Sequence, residues 1–206
     1  MVTLQTSKKK VETDLQSLEK SSMLQRFTVN FGYSVFVALS WVGLWHLNNF
    51  LFDAAEVAPL VSLIFLPAIL RPMAVLLFGF PGAIGLILGA AVTLPTIATP
   101  SFSLVLIVLS NGLMAWMVFL SLSQIPAYRS QLTHDMTGIT LRTIILFAGL
   151  TALAGSLTNS LIIYLSPDLS SSSGLPLSML AGDAIGAFLM LYLMSMLSPV
   201  VSKYLR

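Results

Sequence analysis

The chain has no cysteine among its 206 residues, and only 9% of them are charged. The first absence excludes disulfides, thiolate metal sites and cysteine nucleophiles. The second excludes an ordinary water-facing surface, since soluble domains carry roughly 25% charged residues. Instead, 56% of the residues are hydrophobic and the mean hydropathy is +0.91. Lipid is therefore expected to be the main solvent. The pI near 9.0 reflects a net charge of only +2. Those basic residues are not massed on one face, so no nucleic-acid partner is expected. No H-E-x-x-H, nucleophile elbow, P-loop, dinucleotide fingerprint or EF-hand loop is present either. Neither an enzyme nor a bound cofactor is expected.

The apolar residues fall into six segments, at about 29–52, 57–80, 82–99, 101–123, 141–165 and 176–200. Each approaches the ~20 residues that a bilayer core requires. Backbone amides inside lipid must be satisfied within their own segment, so an all-α, polytopic helix bundle is expected. The third segment is the shortest, with Thr93, Pro95 and Pro100 placed to end it early. Residues 1–28 form a polar N-terminal segment, 29–200 the membrane domain and 201–206 a short tail. Lys8-Lys9-Lys10 is followed by polar sequence rather than an apolar core, so no cleavable signal is expected. Within the N-terminal segment, Val11, Leu15, Leu18 and Met23 recur at near-helical spacing. They predict a short amphipathic helix, resting on headgroups or docking a partner through residues 1–27.

Charge sets the orientation. Lys8, Lys9, Lys10, Lys20 and Arg26 precede the first segment, Arg129 and Arg142 flank the loop after the fourth, and Lys203 and Arg206 follow the last. The alternate loops contain no lysine or arginine. Six passes with both termini in the cytoplasm put all nine of these on one side, as the positive-inside rule demands. His46 and His134 then lie on opposite sides, so no shared metal is expected.

Two charges interrupt the apolar runs: Arg71 in the second and Asp183 in the sixth. Each costs ~2.5–3.5 kcal/mol to insert, and such residues usually face the bundle interior beside a partner. Each is the obvious partner of the other. Counted from the expected helix ends, Asp183 lies about 10 Å and Arg71 about 21 Å below the outer surface. A long arginine leaning toward its helix N-terminus closes most of that gap. The alternative is that it meets carbonyls freed by Pro67 and Pro72. Such a pair fixes register whether or not it binds anything. His46, Asn111 and Asn159 fall at about the depth of Asp183, roughly 9–15 Å below the surface. Together they suggest a polar pocket opening outward, with helix-gluing hydrogen bonds as the plainer role for each asparagine. Gly82, Gly85 and Gly89, and then Gly182 and Gly186 around Asp183, are expected to let helix backbones approach closely.

Phe65-Leu66-Pro67-Ala68-Ile69-Leu70-Arg71, the run Leu77-Phe78-Gly79-Phe80-Pro81-Gly82-Ala83-Ile84-Gly85 and the later Gly182-Asp183-Ala184-Ile185-Gly186 carry a resemblance. In content and order they resemble the first class of membrane-associated sensor (MASE) domains, over roughly 60–200. The resemblance implies bacterial inner-membrane signal input, generally joined to a cyclic-dinucleotide enzyme or histidine kinase. No output domain fits within these residues, so the output is expected on another polypeptide. The size, helix number and outward-facing polar residues also look like the substrate-capturing S-component of an energy-coupling-factor importer. That family's alanine packing motif is not apparent around Tyr33 to Ala38. A purely structural membrane subunit is the third expectation.

Overall fold

No proline interrupts residues 1–52, and the polar turn around Gln25-Arg26 contains no helix breaker. Once nucleated, a helix propagates through such a sequence until something stops it. The computed structural model describes residues 2–52, 56–58, 61–62, 65–96, 101–132, 139–166 and 181–186. Its first element, α1 (Val2–Phe52), is one continuous helix of 51 residues, about 76 Å long at the α-helical rise. The expected separation between an amphipathic helix at 11–24 and a span at 29–52 is absent. α1 buries Ser34, Val37, Trp41, Trp45 and Asn48. Their three-to-four-residue spacing makes one stripe.

The second segment departs further from expectation. Residues 57–80 are not one helix. Strands β1 (Glu56–Ala58) and β2 (Val61–Ser62) pair antiparallel, with Glu56 opposite Ser62 and Ala58 opposite Val61. Helical structure begins only with a 3-10 turn at Leu66–Ile69, which runs into α2 (Leu70–Phe78). The physical reason lies in Val57, Val61 and Ile64, which are β-branched, and in Pro59, which cannot continue a helix. Mean hydropathy is blind to both.

Gly79, at φ 62, reverses the chain into α3 (Phe80–Thr93). The positive φ is why glycine stands there. α3 passes into a 3-10 turn at Leu94–Thr96, so the expected third span ends its α-helix at Thr93. Residues 97–100 lie outside the described residues. α4 (Phe102–Ser123) and α6 (Leu141–Leu165) occupy the fourth and fifth expected spans. Ser101 and Thr140 cap them, accepting from the amides of Leu104 and Thr143. Between them lies a single turn, α5 (Pro126–Arg129). Of the sixth expected span, 176–200, only the helical stretch 181–186, here α7, is described. The tail 201–206, His134 and its neighbour Asp135 lie outside the described residues.

Apart from the β1–β2 pair, the described elements are helical, and three stretches are long and apolar enough to cross a membrane: Met23–Phe52, Phe102–Ser123 and Leu141–Leu165. Leu66–Phe78 and Phe80–Thr93 are apolar but shorter. The exterior carries exposed Phe36, Phe50, Phe102, Leu157 and Leu161. An apolar exterior of this kind matches lipid rather than water.

Helices α1 and α3 run side by side in the same direction. A Cβ at Gly85 would sit 2.6 Å from the Ser34 carbonyl oxygen and Val37 Cβ, and one at Gly89 2.6 Å from Trp41 Cβ. Gly82 lies as closely on the Ala74 backbone, and Gly112 of α4 on that of Ala83. Backbone contact of this kind replaces a hydrophobic driving force that lipid does not supply. Gly85→Leu is therefore expected to lower stability by about 1–3 kcal/mol through overpacking. Gly149→Leu, where a Cβ meets nothing within 4 Å, should leave the melting temperature in detergent unchanged. Equal effects of the two would contradict the packing described.

Candidate functional site

An arginine in an apolar interior needs acceptors for its donors and an opposite charge. Arg71 has both. Its Nη1 donates to Asp183 Oδ2 at 2.7 Å. Nε and Nη2 both donate to Asn111 Oδ1, at 3.1 and 2.8 Å. All three residues are buried, at 4–6% exposure, so the arrangement is shielded from salt and water. Asn111 is itself held by its Nδ2, which donates to the Ile107 carbonyl at 2.9 Å. That bond fixes the amide orientation and leaves its oxygen for the arginine.

The guanidinium also lies over two aromatic rings. Its Cζ lies 5.9 Å from the Trp41 ring centroid and 5.4 Å from that of Phe65. Such contacts contribute up to about 2 kcal/mol when desolvated. Trp41 is fixed in turn, donating from Nε1 to Thr93 Oγ1 at 3.0 Å, and it packs edge-on against Phe65. Phe65 also meets Trp45 edge-on. Gly155 of α6 forms a wall, since a Cβ there would lie 3.4 Å from Arg71 Nη1 and 3.8 Å from Asp183 Oδ2. Gly186 lets α7 approach the Phe65 carbonyl, where a Cβ would stand at 2.7 Å. One side chain from α2 thus touches or faces α1, α4, α6 and α7.

The depth mismatch between Arg71 and Asp183 disappears because the helix around Arg71 begins at Leu66, not at residue 57. Arg71 is then only about 7.5 Å from its helix start. Asn48 accepts from the Leu66 amide at 2.8 Å and anchors that start to α1. Pro67 stands in the first turn of that helix, where a missing amide costs little, and Pro72 is the third residue of α2. The polar partners of Arg71 among the described residues are Asp183 and Asn111, not proline-freed carbonyls.

Of the other expected site residues, Asn159 accepts a very short hydrogen bond from Ser110 Oγ. It lies one turn beyond Gly155 and reaches the site only through α4, because Ser110 precedes Asn111. His46 is not in the site. It points from the exposed side of α1, beside but off the buried stripe that holds Trp45 and Asn48. Equal depth says nothing about helix face, and that removes it from the expected pocket. Gly182 is buried beside Asp183. Trp41, Phe65 and Asn48 are additions that the sequence reading lacked. The stripe at 34, 37, 41, 45 and 48 was a usable signal for the first and last of them.

One buried polar atom stands apart. Thr151 Oγ1, one turn from Gly155 on the same face of α6, has no hydrogen-bond partner among the described residues. No group of three or more histidine, aspartate and glutamate side chains suited to a metal occurs among the described residues. No family model, curated protein or solved structure matches the chain.

Replacing Asn111 with leucine strands the guanidinium edge that it satisfies. The expected loss is about 1–3 kcal/mol of stability, the cost of a buried unsatisfied donor, read as a lower melting temperature in detergent. Asn111→Gln, which keeps the acceptor, should recover part of it. No change in either variant would show that Arg71 is satisfied by other means.

Proposed function

We propose that this chain is a multi-pass inner-membrane signal-input module, not an enzyme, with both termini in the cytoplasm. Its output acts through a separate signalling protein. The observation that carries this is the continuity of α1. Trp41, which stands over Arg71, belongs to the same unbroken helix as residues 2–22. Any event that changes the Arg71–Asp183 pair acts on that helix. Its polar end, with Lys8, Lys9, Lys10 and Lys20, is a surface for a partner. Two of the three stretches that resemble the membrane-associated sensors build the pair: residues 65–71 supply Phe65 and Arg71, and 182–186 supply Asp183 and the close approach at Gly186. The bilayer is the first partner in this scheme, and nucleic acid has no part in it.

A transport subunit is the second reading. It is favoured by two short helices interrupted by Pro67, Pro72, Gly79 and Pro81, with a charge at mid-depth. Broken helices of that kind mark the binding sites of many carriers.

Recovery of the tagged chain from its own host in mild detergent separates these. A cyclic-dinucleotide enzyme or histidine kinase is expected in near-equal amount, and it should be lost when residues 2–22 are deleted. A stoichiometric ATPase pair, with a small vitamin-like molecule retained, would establish the transport subunit instead. Recovery of neither partner leaves the structural-subunit role and contradicts the proposal. Asp183→Asn keeps the shape and one acceptor but removes the countercharge, so the partner's output should change by more than the folded yield falls. Unchanged output would remove the pair from signalling.

A further inference from the structure

The geometry points to α2 and α3 as a re-entrant hairpin that enters from the outer side and turns at Gly79 inside the membrane, so that the Arg71 site is closed toward the cytoplasm. Four independent observations support this.

The first is length. Leu66–Phe78 and Phe80–Thr93 contain 13 and 14 residues, about 20 Å each, and the 3-10 turn at Leu94–Thr96 adds about 6 Å to the second, against a hydrocarbon core of about 30 Å.

The second is level. Ser34 Oγ donates to the Pro81 carbonyl at 2.8 Å, and the Tyr33 ring lies 4.8 Å from that of Phe78. The turn therefore stands beside Ser34, eight residues or about 12 Å from Arg26. On the far side, Phe80 meets Trp116 at 5.5 Å. Trp116 is eight residues from Gln124, where α4 has ended, again about 12 Å. Two helices give the same shortfall. In agreement, every residue of α1 from Met23 to Tyr33 is exposed, and its buried stripe begins at Ser34. An open surface hollow of about 390 Å³ lies along that stretch, lined among the described residues by Gln25, Arg26, Val29 and Asn30.

The third is charge. A cytoplasmic connection would be expected to carry lysine or arginine, as the other inner segments do. The run Leu76-Leu77-Phe78-Gly79-Phe80-Pro81-Gly82-Ala83 carries no charged or polar side chain at all.

The fourth is the turn's own chemistry. Non-helical backbone at membrane depth must be satisfied by protein. The Gly79 amide donates to the Val75 carbonyl at 2.9 Å, and the Gly79 carbonyl accepts from the Ala83 amide at 3.3 Å. Pro81 has no donor to satisfy, and Ser34 occupies its carbonyl. Gly79 is buried. The Gly79 amide and carbonyl and the Pro81 carbonyl are thus all satisfied by protein.

Phe80, Trp116, Phe119 and Phe147 form a continuous ring layer at the tip, on the cytoplasmic side of Arg71. Among the described residues, this layer closes the site toward the cytoplasm, so a solute reaching Arg71 and Asp183 arrives from outside. The hairpin thus takes the place of the second and third of the six expected crossings.

The chain lacks cysteine, so single-cysteine labelling needs no prior substitution. Leu77→Cys and Phe80→Cys place thiols at the tip on exposed positions, at 42% and 49% exposure. Gln124→Cys marks the inner surface and Ser101→Cys the outer. A membrane-impermeant maleimide should label Gln124→Cys only in inside-out vesicles and Ser101→Cys only in right-side-out ones. The two tip variants should label in neither, at less than a tenth of those rates, and fully once denatured in detergent. Labelling of either tip variant from inside, at a rate within threefold of Gln124→Cys, would overturn the re-entrant hairpin. Labelling from outside would overturn the seal. Each variant is first checked for a single symmetric peak on size exclusion, and two tip positions guard against loss of one to misfolding.

Discussion

A guanidinium cannot be left bare in an apolar interior, and the arrangement around Arg71 follows from that constraint. Asp183 supplies the countercharge, Asn111 the acceptor for the remaining edge, and Trp41 and Phe65 cation–π contacts. These partners come from different elements, so satisfying one side chain specifies how several helices sit. The specification is expensive. Removing one partner of a buried pair costs roughly 3–5 kcal/mol, whereas replacing both by apolar residues is often neutral. Helix packing alone could be achieved more cheaply, with glycine contacts such as those at Gly85 and Gly89. That difference is why the pair, and not the glycine face, is given the functional role.

The pair also explains the odd construction of the second apolar segment. If that segment were a straight helix from residue 57, Arg71 would lie too deep for Asp183. The strands at Glu56–Ala58 and Val61–Ser62 and the late helix start at Leu66 raise the arginine relative to its helix end. The same late start shortens α2, and α3 is equally short, so the chain turns before it reaches the inner surface. Site depth and hairpin depth are two consequences of one boundary.

The two intramembrane charges were legible in the sequence because nothing else in those runs is charged. So were α4 and α6, whose apolar lengths are uninterrupted. The second segment was misread because hydropathy averages apolarity and ignores Pro59 and the β-branched Val57, Val61 and Ile64. The unbroken α1 was missed for the opposite reason, since a change from polar to apolar was taken as a boundary where no breaker stands. His46 was misplaced because depth was counted without rotation about the helix axis, and a single residue step turns the side chain by about 100°. The acceptor role of Asn111 depends on its amide orientation, which the Ile107 carbonyl sets. No sequence pattern carries that.

The central claim is that Arg71 and Asp183 stabilise the bundle as one coupled unit. The direct measurement is a double-mutant cycle with Arg71→Leu and Asp183→Leu, read by unfolding in detergent. Each single change should cost about 3–5 kcal/mol and the double far less than their sum, since both charges are then gone. Costs that add to within about 0.5 kcal/mol would mean the two residues act independently, and the account would fail.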